Sequence, residues 1–407
     1  MRGKSGALLA AVLAASSNAV EEWDCNPPPG QNCQSRLGPE PGQDHAEWEA
    51  ELQDWVAAGR EFFDFSAYDN PDIQWAQTSF VQPQAMLHDR YLYDRTTQSW
   101  TVDRYLDDVE ARYGGIDSVL VWQYYPNSGV DDRNNFDMIY NLPGGLEGVQ
   151  SMVAAFQARG VRVLWACFPW DHGTRNTGRP EYVDLVEAVL ATGADGINGD
   201  TMAGVNVSFW DEAFVQGDRA LAIEPEVMQS GAGAITGLET NVMSWAQFWS
   251  FTYVPLVAAY KALDSRHLQR PTDRWDTNKT DGYQTAFFNG MGFASWESIW
   301  GIFNQLTDFN AEMLRRMSTV LRNVNGGGGR ITGGPAVTFR PHAPFTLQPG
   351  VFASEFTNDT HRFYTLVNRD NTPKAGEQLE LPCEADTVFF DLYHGIELSA
   401  DCQGNHA

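Results

Sequence analysis

Val161-Arg-Val-Leu-Trp-Ala-Cys-Phe168 is a strand-like run that closes on Pro169-Trp170-Asp171-His172, and a helical stretch from Pro180 to Thr192 follows it. Next comes Ala194-Asp-Gly-Ile-Asn-Gly-Asp200-Thr-Met202, and then Ala220-Leu-Ala-Ile223, which stops at Glu224-Pro-Glu226. Strands that alternate with a helix and end repeatedly on acids predict a (β/α)8 TIM barrel. In such a barrel the C-terminal strand ends open onto one face, so acids remote in sequence converge there.

The same grammar extends in both directions. Upstream, Ser118-Val-Leu-Val-Trp-Gln-Tyr-Tyr125 is a continuous apolar strand of the kind a doubly covered parallel sheet demands. Thr101 opens a helix that stops at Gly114-Gly115, and Leu146–Arg159 ends at Gly160. Pro180 and Gly193 bracket the next helix by the N-terminal-Pro, C-terminal-Gly asymmetry. Asp44 precedes Glu47 at capping-box spacing, before a helix with Trp48, Leu52, Trp55 and Val56 on one side. Ile73–Val81 alternates and is the expected first barrel strand. Beyond residue 240 the periodicity blurs: Trp245–Leu263 and Ile302–Val324 read as helices, Arg270–Trp275 and Gly292–Trp296 as the last strands. The pattern alone yields six strands, and eight is the count the architecture asks for.

Gly326-Gly-Gly-Gly329 marks a loose connection, after which the spacing changes. Val351–Phe356, Arg362–Val367, Gln378–Leu381 and Thr387–Leu392 are short strands separated by turn residues, so a small antiparallel β domain should follow the barrel. The expected organisation is a signal peptide over 1–19, a lead-in and helix over 20–64, the barrel over 65–330 and the β domain over 335–407.

A chain of 407 residues suits one barrel of roughly 250 residues with appendages. The formal charge of −26 excludes a nucleic-acid partner and an anionic membrane surface, both of which repel it. Met1-Arg-Gly-Lys4, the apolar run Ala7–Ala15 and Ser17-Asn18-Ala19 form an export signal with cleavage expected after Ala19, hence a secreted protein. No stretch is long and apolar enough to span a membrane. Five cysteines fit an oxidising compartment: Cys25 with Cys33 and Cys383 with Cys402 can close local disulfides, while Cys167 reads as a buried thiol.

Glycoside hydrolysis needs two carboxyl groups, one to protonate the leaving oxygen and one to attack the sugar or activate water. The acids at predicted strand ends are Asp171, Asp200, Glu224, Glu226 and Glu297. Asp200 stands out, because Gly196 and Gly199 leave backbone room for a ligand and Asn198 shares its strand face. Its competing role is to cap the next helix. Glu224 and Glu226 share one face across Pro225, one as acid/base and the other as a hydroxyl binder, unless both are salt-bridged loop acids. Trp296-Glu297-Ser-Ile-Trp300 interleaves an acid with aromatic rings on which sugars stack, although Trp-rich segments are more often core. Trp170, Asp171 and Arg175 are expected to recognise substrate hydroxyls. No serine elbow, Walker loop, HExxH or dinucleotide fingerprint is present, and no cofactor or metal is expected. Asp131-Asp132 with Asp137 only loosely resembles a calcium set.

Taken together, these strand-end acids resemble the α-galactosidase-like group of glycoside-hydrolase barrels, in which a fourth-strand Asp is the nucleophile and a β domain follows. The resemblance implies that role for Asp200. Asn198 departs from the pattern, which has a Lys two residues before the nucleophile. Val130-Asp-Asp-Arg-Asn-Asn135, Trp170-Asp-His-Gly-Thr-Arg175 and Trp296-Glu-Ser-Ile-Trp-Gly301 are similar to signatures of a further barrel family that brings no established activity. The expected function is a retaining glycoside hydrolase acting on a glycan. Its catalytic residues would be Asp200 and Glu224, with Trp170, Asp171, Arg175, Asn198, Glu226, Trp296 and Glu297 binding substrate. The alternative is a non-catalytic carbohydrate-binding or cell-surface barrel. A third reading, a metal-dependent lyase or isomerase, would need an ion held by Asp131, Asp132 or Asp171.

Overall fold

Eight parallel strand segments close into a ring in the computed structural model, which describes residues 25, 33–87, 89–123, 133–168, 177–227, 237–246, 251–273, 277–299, 302–303, 305–326, 330–334, 336–383 and 387–399. The barrel strands are β1 (Val81–Gln82 and Gln84–Met86), β2 (Ser118–Trp122), β3 (Arg162–Cys167) and β4 (Gly196–Ala203). They continue as β5 (Ala222–Val227), β6 (Met243–Ala246), β7 (Leu268–Pro271) and β8 (Phe293–Ala294). β1 to β5 form one parallel sheet, β5 lies alongside β6, and β6 pairs with β7. Gly292 N–H donates to the Gln269 carbonyl at 2.9 Å, and Ser295 N–H to the Gln82 carbonyl at 3.1 Å, which brings β8 from β7 round to β1.

The first strand begins later than expected. Ile73 and Ala76 are apolar at helical, not strand, spacing, and Gln74–Thr78 forms a 3-10 turn that buries both. The strand proper carries Gln82 and Gln84, whose polarity hides it from a hydrophobic pattern. Trp245–Leu263 is not one helix either: Trp245 lies within β6, and among the described residues of this range Ala259–Leu263 is the helical part (α7). Ile302–Phe303 pairs with Ser298–Ile299, and the helix after it runs from Asp308 to Asn325 (α9), capped by the Thr307 hydroxyl.

The lead-in segment fills the wall that a longer sixth helix would have covered. A disulfide joins Cys25 to Cys33, and Ser35–Arg36 pairs antiparallel with Val257–Ala258. Gln34 is buried between them: its side chain donates to the Trp245 carbonyl at 3.2 Å and its own carbonyl accepts from the Gln269 amide at 3.0 Å. Helix α1 (His45–Phe62) then lies against α7, where Arg60 Nε donates to the Leu263 carbonyl at 2.8 Å.

On the outer side of the strands Val119, Val121, Val163, Trp165, Cys167 and Ile197 join the helices in the main core. The helices α2 (Val102–Tyr113), α3 (Asn135–Tyr140), α4 (Gly145–Ala158), α5 (Glu181–Thr192), α6 (Val207–Gly217) and α8 (Thr280–Phe288) complete the described ring. After the barrel, Thr338–Pro341, Val351–Thr357 and Arg362–Asn368 form a three-stranded antiparallel sheet. It is bound to α8 through Thr365 Oγ1, which donates to the Phe288 carbonyl at 2.9 Å. A separate hairpin pairs Phe389–Asp391 with Ile396–Leu398, whereas Gln378–Leu381 is not a strand. Cys383 is disulfide-bonded; Cys402 lies outside the described residues.

Candidate active site

Inside the barrel, side chains alternate with the strand period, and their chemistry changes with height. At the floor, Arg270 of β7 pairs with Glu224 of β5, and its Nη2 donates to the carbonyl of Ser79, just before β1, at 2.7 Å. Asn198 Nδ2 donates to Glu224 Oε2 at 3.2 Å, and the Gln82 amide nearby donates to Ser118 Oγ at 3.1 Å. Burial pushes Glu224 up from the ordinary carboxylate range, against the pull of Arg270, Asn198 and Gln82. Beside this pair the packed interior is aromatic, Trp245 of β6 being the register partner of Arg270. Trp122 stacks on Trp245 at 6.0 Å, and Trp245 meets Trp296 edge-on at 4.9 Å, in a cluster with Met86 and Phe168.

One step beyond Asn198, the ladder between β4 and β5 breaks. Gly199 pairs with Pro225 and Ala203 with Val227, so Asp200, Thr201 and Met202 stand opposite the single residue Glu226. The bulge places Thr201 at φ 60°, a left-handed conformation that a β-branched residue rarely adopts. Its amide N–H turns out of the ladder and donates to Glu226 Oε2 at 2.6 Å. Asp200 is 4 % exposed, Glu226 is half-buried and Thr201 is exposed, so this end of the barrel is where described carboxylates approach solvent. Behind β3, burial and the charges of Glu181 and Asp200 push the Cys167 thiol well up, which makes it an inert packing group.

The structure places Asp200 and Glu226 at one bulge, on neighbouring strands, and several residues expected beside them elsewhere. Glu224 is wholly buried in an ion pair below the site, so the acid/base role expected for it does not fit its position. Asn198 serves the same buried pair through its amide nitrogen. Trp296 is core, 0 % exposed, and offers no free ring face to a sugar. Glu297 takes a two-pronged grip from Arg112 of α2, at 2.6 and 2.7 Å, and accepts the Leu306 N–H at 3.1 Å. It fastens the end of β8 to the helical shell, not to the mouth. Trp170, Asp171 and Arg175 lie outside the described residues, as do Asp131 and Asp132. Asp137 completes a capping box with Asn134 at the start of α3. Among the described residues no cluster of acids, histidines or cysteines is placed to hold a metal ion.

Two groups escaped the sequence reading. Thr201 carries no compositional signal, because its role lies in its backbone. Asp273 follows β7 closely and sits 3.7 Å from the buried ammonium of Lys279, beside Tyr283 in a small pocket. The strand expected over Arg270–Trp275 hid it; β7 ends at Pro271, and Asp273 lies just beyond that end.

No family model matches the chain, and comparison with curated proteins finds no sequence relative. Solved structures do match. An α-amylase from Anoxybacillus aligns with a TM-score of 0.50 at 13 % identity, over 82 % of this chain and 95 % of that one. The α-N-acetylgalactosaminidase of Bifidobacterium bifidum aligns with a TM-score of 0.52 at 13 % identity, over 80 % of this chain and 64 % of that one. At such identity the likeness concerns the fold. The chain has the (β/α)8 barrel found in these glycoside hydrolases.

Proposed function

We propose that the protein is a retaining glycoside hydrolase that cleaves an O-glycosidic bond of a glycan, with Asp200 as nucleophile and Glu226 as general acid/base. One observation carries this reading: at the β4–β5 bulge the stretch Asp200–Met202 stands opposite Glu226, so two acids flank the same break in the ladder. Neighbouring strands run about 4.8 Å apart. Acids on neighbouring strands suit the separation of about 5–5.5 Å needed for a covalent intermediate better than the roughly 6.5–9.5 Å that leaves room for an attacking water. Asp200 would attack the anomeric carbon while Glu226 protonates the leaving oxygen, and Glu226 would then take the proton of the incoming water. Kinship in fold with an amylase and an N-acetylgalactosaminidase supports a sugar substrate.

The test is a screen of glycans and aryl glycosides with an Asp200→Asn control. Turnover of a cleaved substrate should fall at least about a thousandfold once covalent attack is removed. Undiminished turnover in that variant would overturn the assignment.

A further inference from the structure

We propose that Thr201 is a positioning residue: its bulged backbone exists to deliver one amide N–H to Glu226 and so to make the two oxygens of that carboxyl unequal. The inference rests on the acid/base role given to Glu226 above. In a regular parallel pair Thr201 N–H would be spent in the ladder. The bulge that sets Asp200–Met202 opposite Glu226 alone releases it, and the left-handed backbone at φ 60° aims it at Oε2, 2.6 Å away. An amide can only donate, so Oε2 must stay an acceptor and the exchangeable proton is confined to Oε1. The same bond favours the charged carboxylate and holds its affinity for a proton down.

Among the described residues, the charged group at Glu226's own level is Asp200 on β4. Glu224 and Arg270 form an internal pair one level below, and β6 (Met243–Ala246) brings no titratable group. The Thr201 amide is a donor that biases Glu226 toward ionisation.

The experiment replaces Thr201 by its α-hydroxy acid, which exchanges the peptide N–H for an ester oxygen, and compares it with Thr201→Gly. Glycine keeps the amide and accepts the left-handed backbone without strain. Carboxyl-carbon NMR follows the titration of Glu226 in the full chain, with Glu226→Gln identifying the signal. The ester should raise the Glu226 midpoint by about one pH unit or more, and Thr201→Gly should leave it in place. An unmoved midpoint in the ester, or an equal shift in the glycine variant, overturns the proposal. If the ester variant does not fold, deuterium exchange at the Thr201 amide decides instead. It should quicken at least tenfold in Glu226→Ala, and an unchanged rate overturns the proposal. The titration needs no substrate, so a failed glycan screen would remove the glycosidase reading and leave this result standing. Hydrolysis with an unshifted ester would do the reverse.

Discussion

Glu224 and Glu226 are two residues apart on one strand and look alike in sequence, yet they meet different surroundings. Their shared face was legible, because the strand period is two. Their heights were not, since these depend on register and on Arg270, a residue on another strand. The buried pair gives a stability prediction. Glu224→Leu leaves the Arg270 guanidinium without its counter-charge in a water-free interior and should cost roughly 3–5 kcal/mol. Adding Arg270→Met should restore most of that loss, because a well-packed apolar pair often equals a buried ion pair. Urea unfolding of the three proteins measures both steps, and a double variant as unstable as the single one would contradict this account. Asp200 was legible for the opposite reason: glycines on either side of Asn198 and the end of an apolar strand mark its place without any distant partner.

Helix ends were read more reliably than helix interiors. Gly114 and Gly193 take left-handed conformations at φ 84° and 76°, as their positions after apolar periodicity predict. Asp44 caps α1 through the amides of Ala46 and Glu47. The reciprocal capping box sits instead at Asn134 and Asp137, where each side chain accepts the other's backbone N–H. Asp137, weighed as a distant metal ligand, is a helix-starting residue. Asn134→Ala should accordingly cost about 1 kcal/mol in urea unfolding, whereas a ligand role would show as loss of ion affinity at unchanged stability. The segment after Trp245 defeated the same reading because its apolar residues are buried by a strand, a short strand and a five-residue helix in turn. Tertiary contact with the lead-in, not local periodicity, decides their form.

Across the whole molecule, acid sensitivity should track two buried imidazoles. Burial and the nearby Lys261 hold His267 down to about 3, and burial holds His342 down to about 4. Both are therefore neutral in the folded protein while the unfolded chain gains protons below its ordinary histidine value near 6.5. Unfolded protein binds more protons in this window, so stability falls with falling pH, by up to roughly 1.4 kcal/mol per unit for each group. For His267 the window runs from about 6.5 down to about 3. Its ring lies between the Tyr68 hydroxyl at 2.8 Å and Ser244 Oγ at 2.9 Å, a pocket already filled by neutral partners. Unfolding free energies at pH 7 and pH 5 should differ less in His267→Gln than in the native protein; an equal difference would show that carboxylates alone set the slope. The ring of strands was readable from alternation, but its closure was not, because β8 is two residues long and leans on β1. The lead-in adds a temporal consequence. Residues 33–62 leave the ribosome ahead of the barrel, yet the surface they cover, built from Trp245, Val257, Leu263 and Gln269, is synthesised some two hundred residues later. This segment reaches its place only once most of the barrel exists, and then shuts the wall behind β6 and β7.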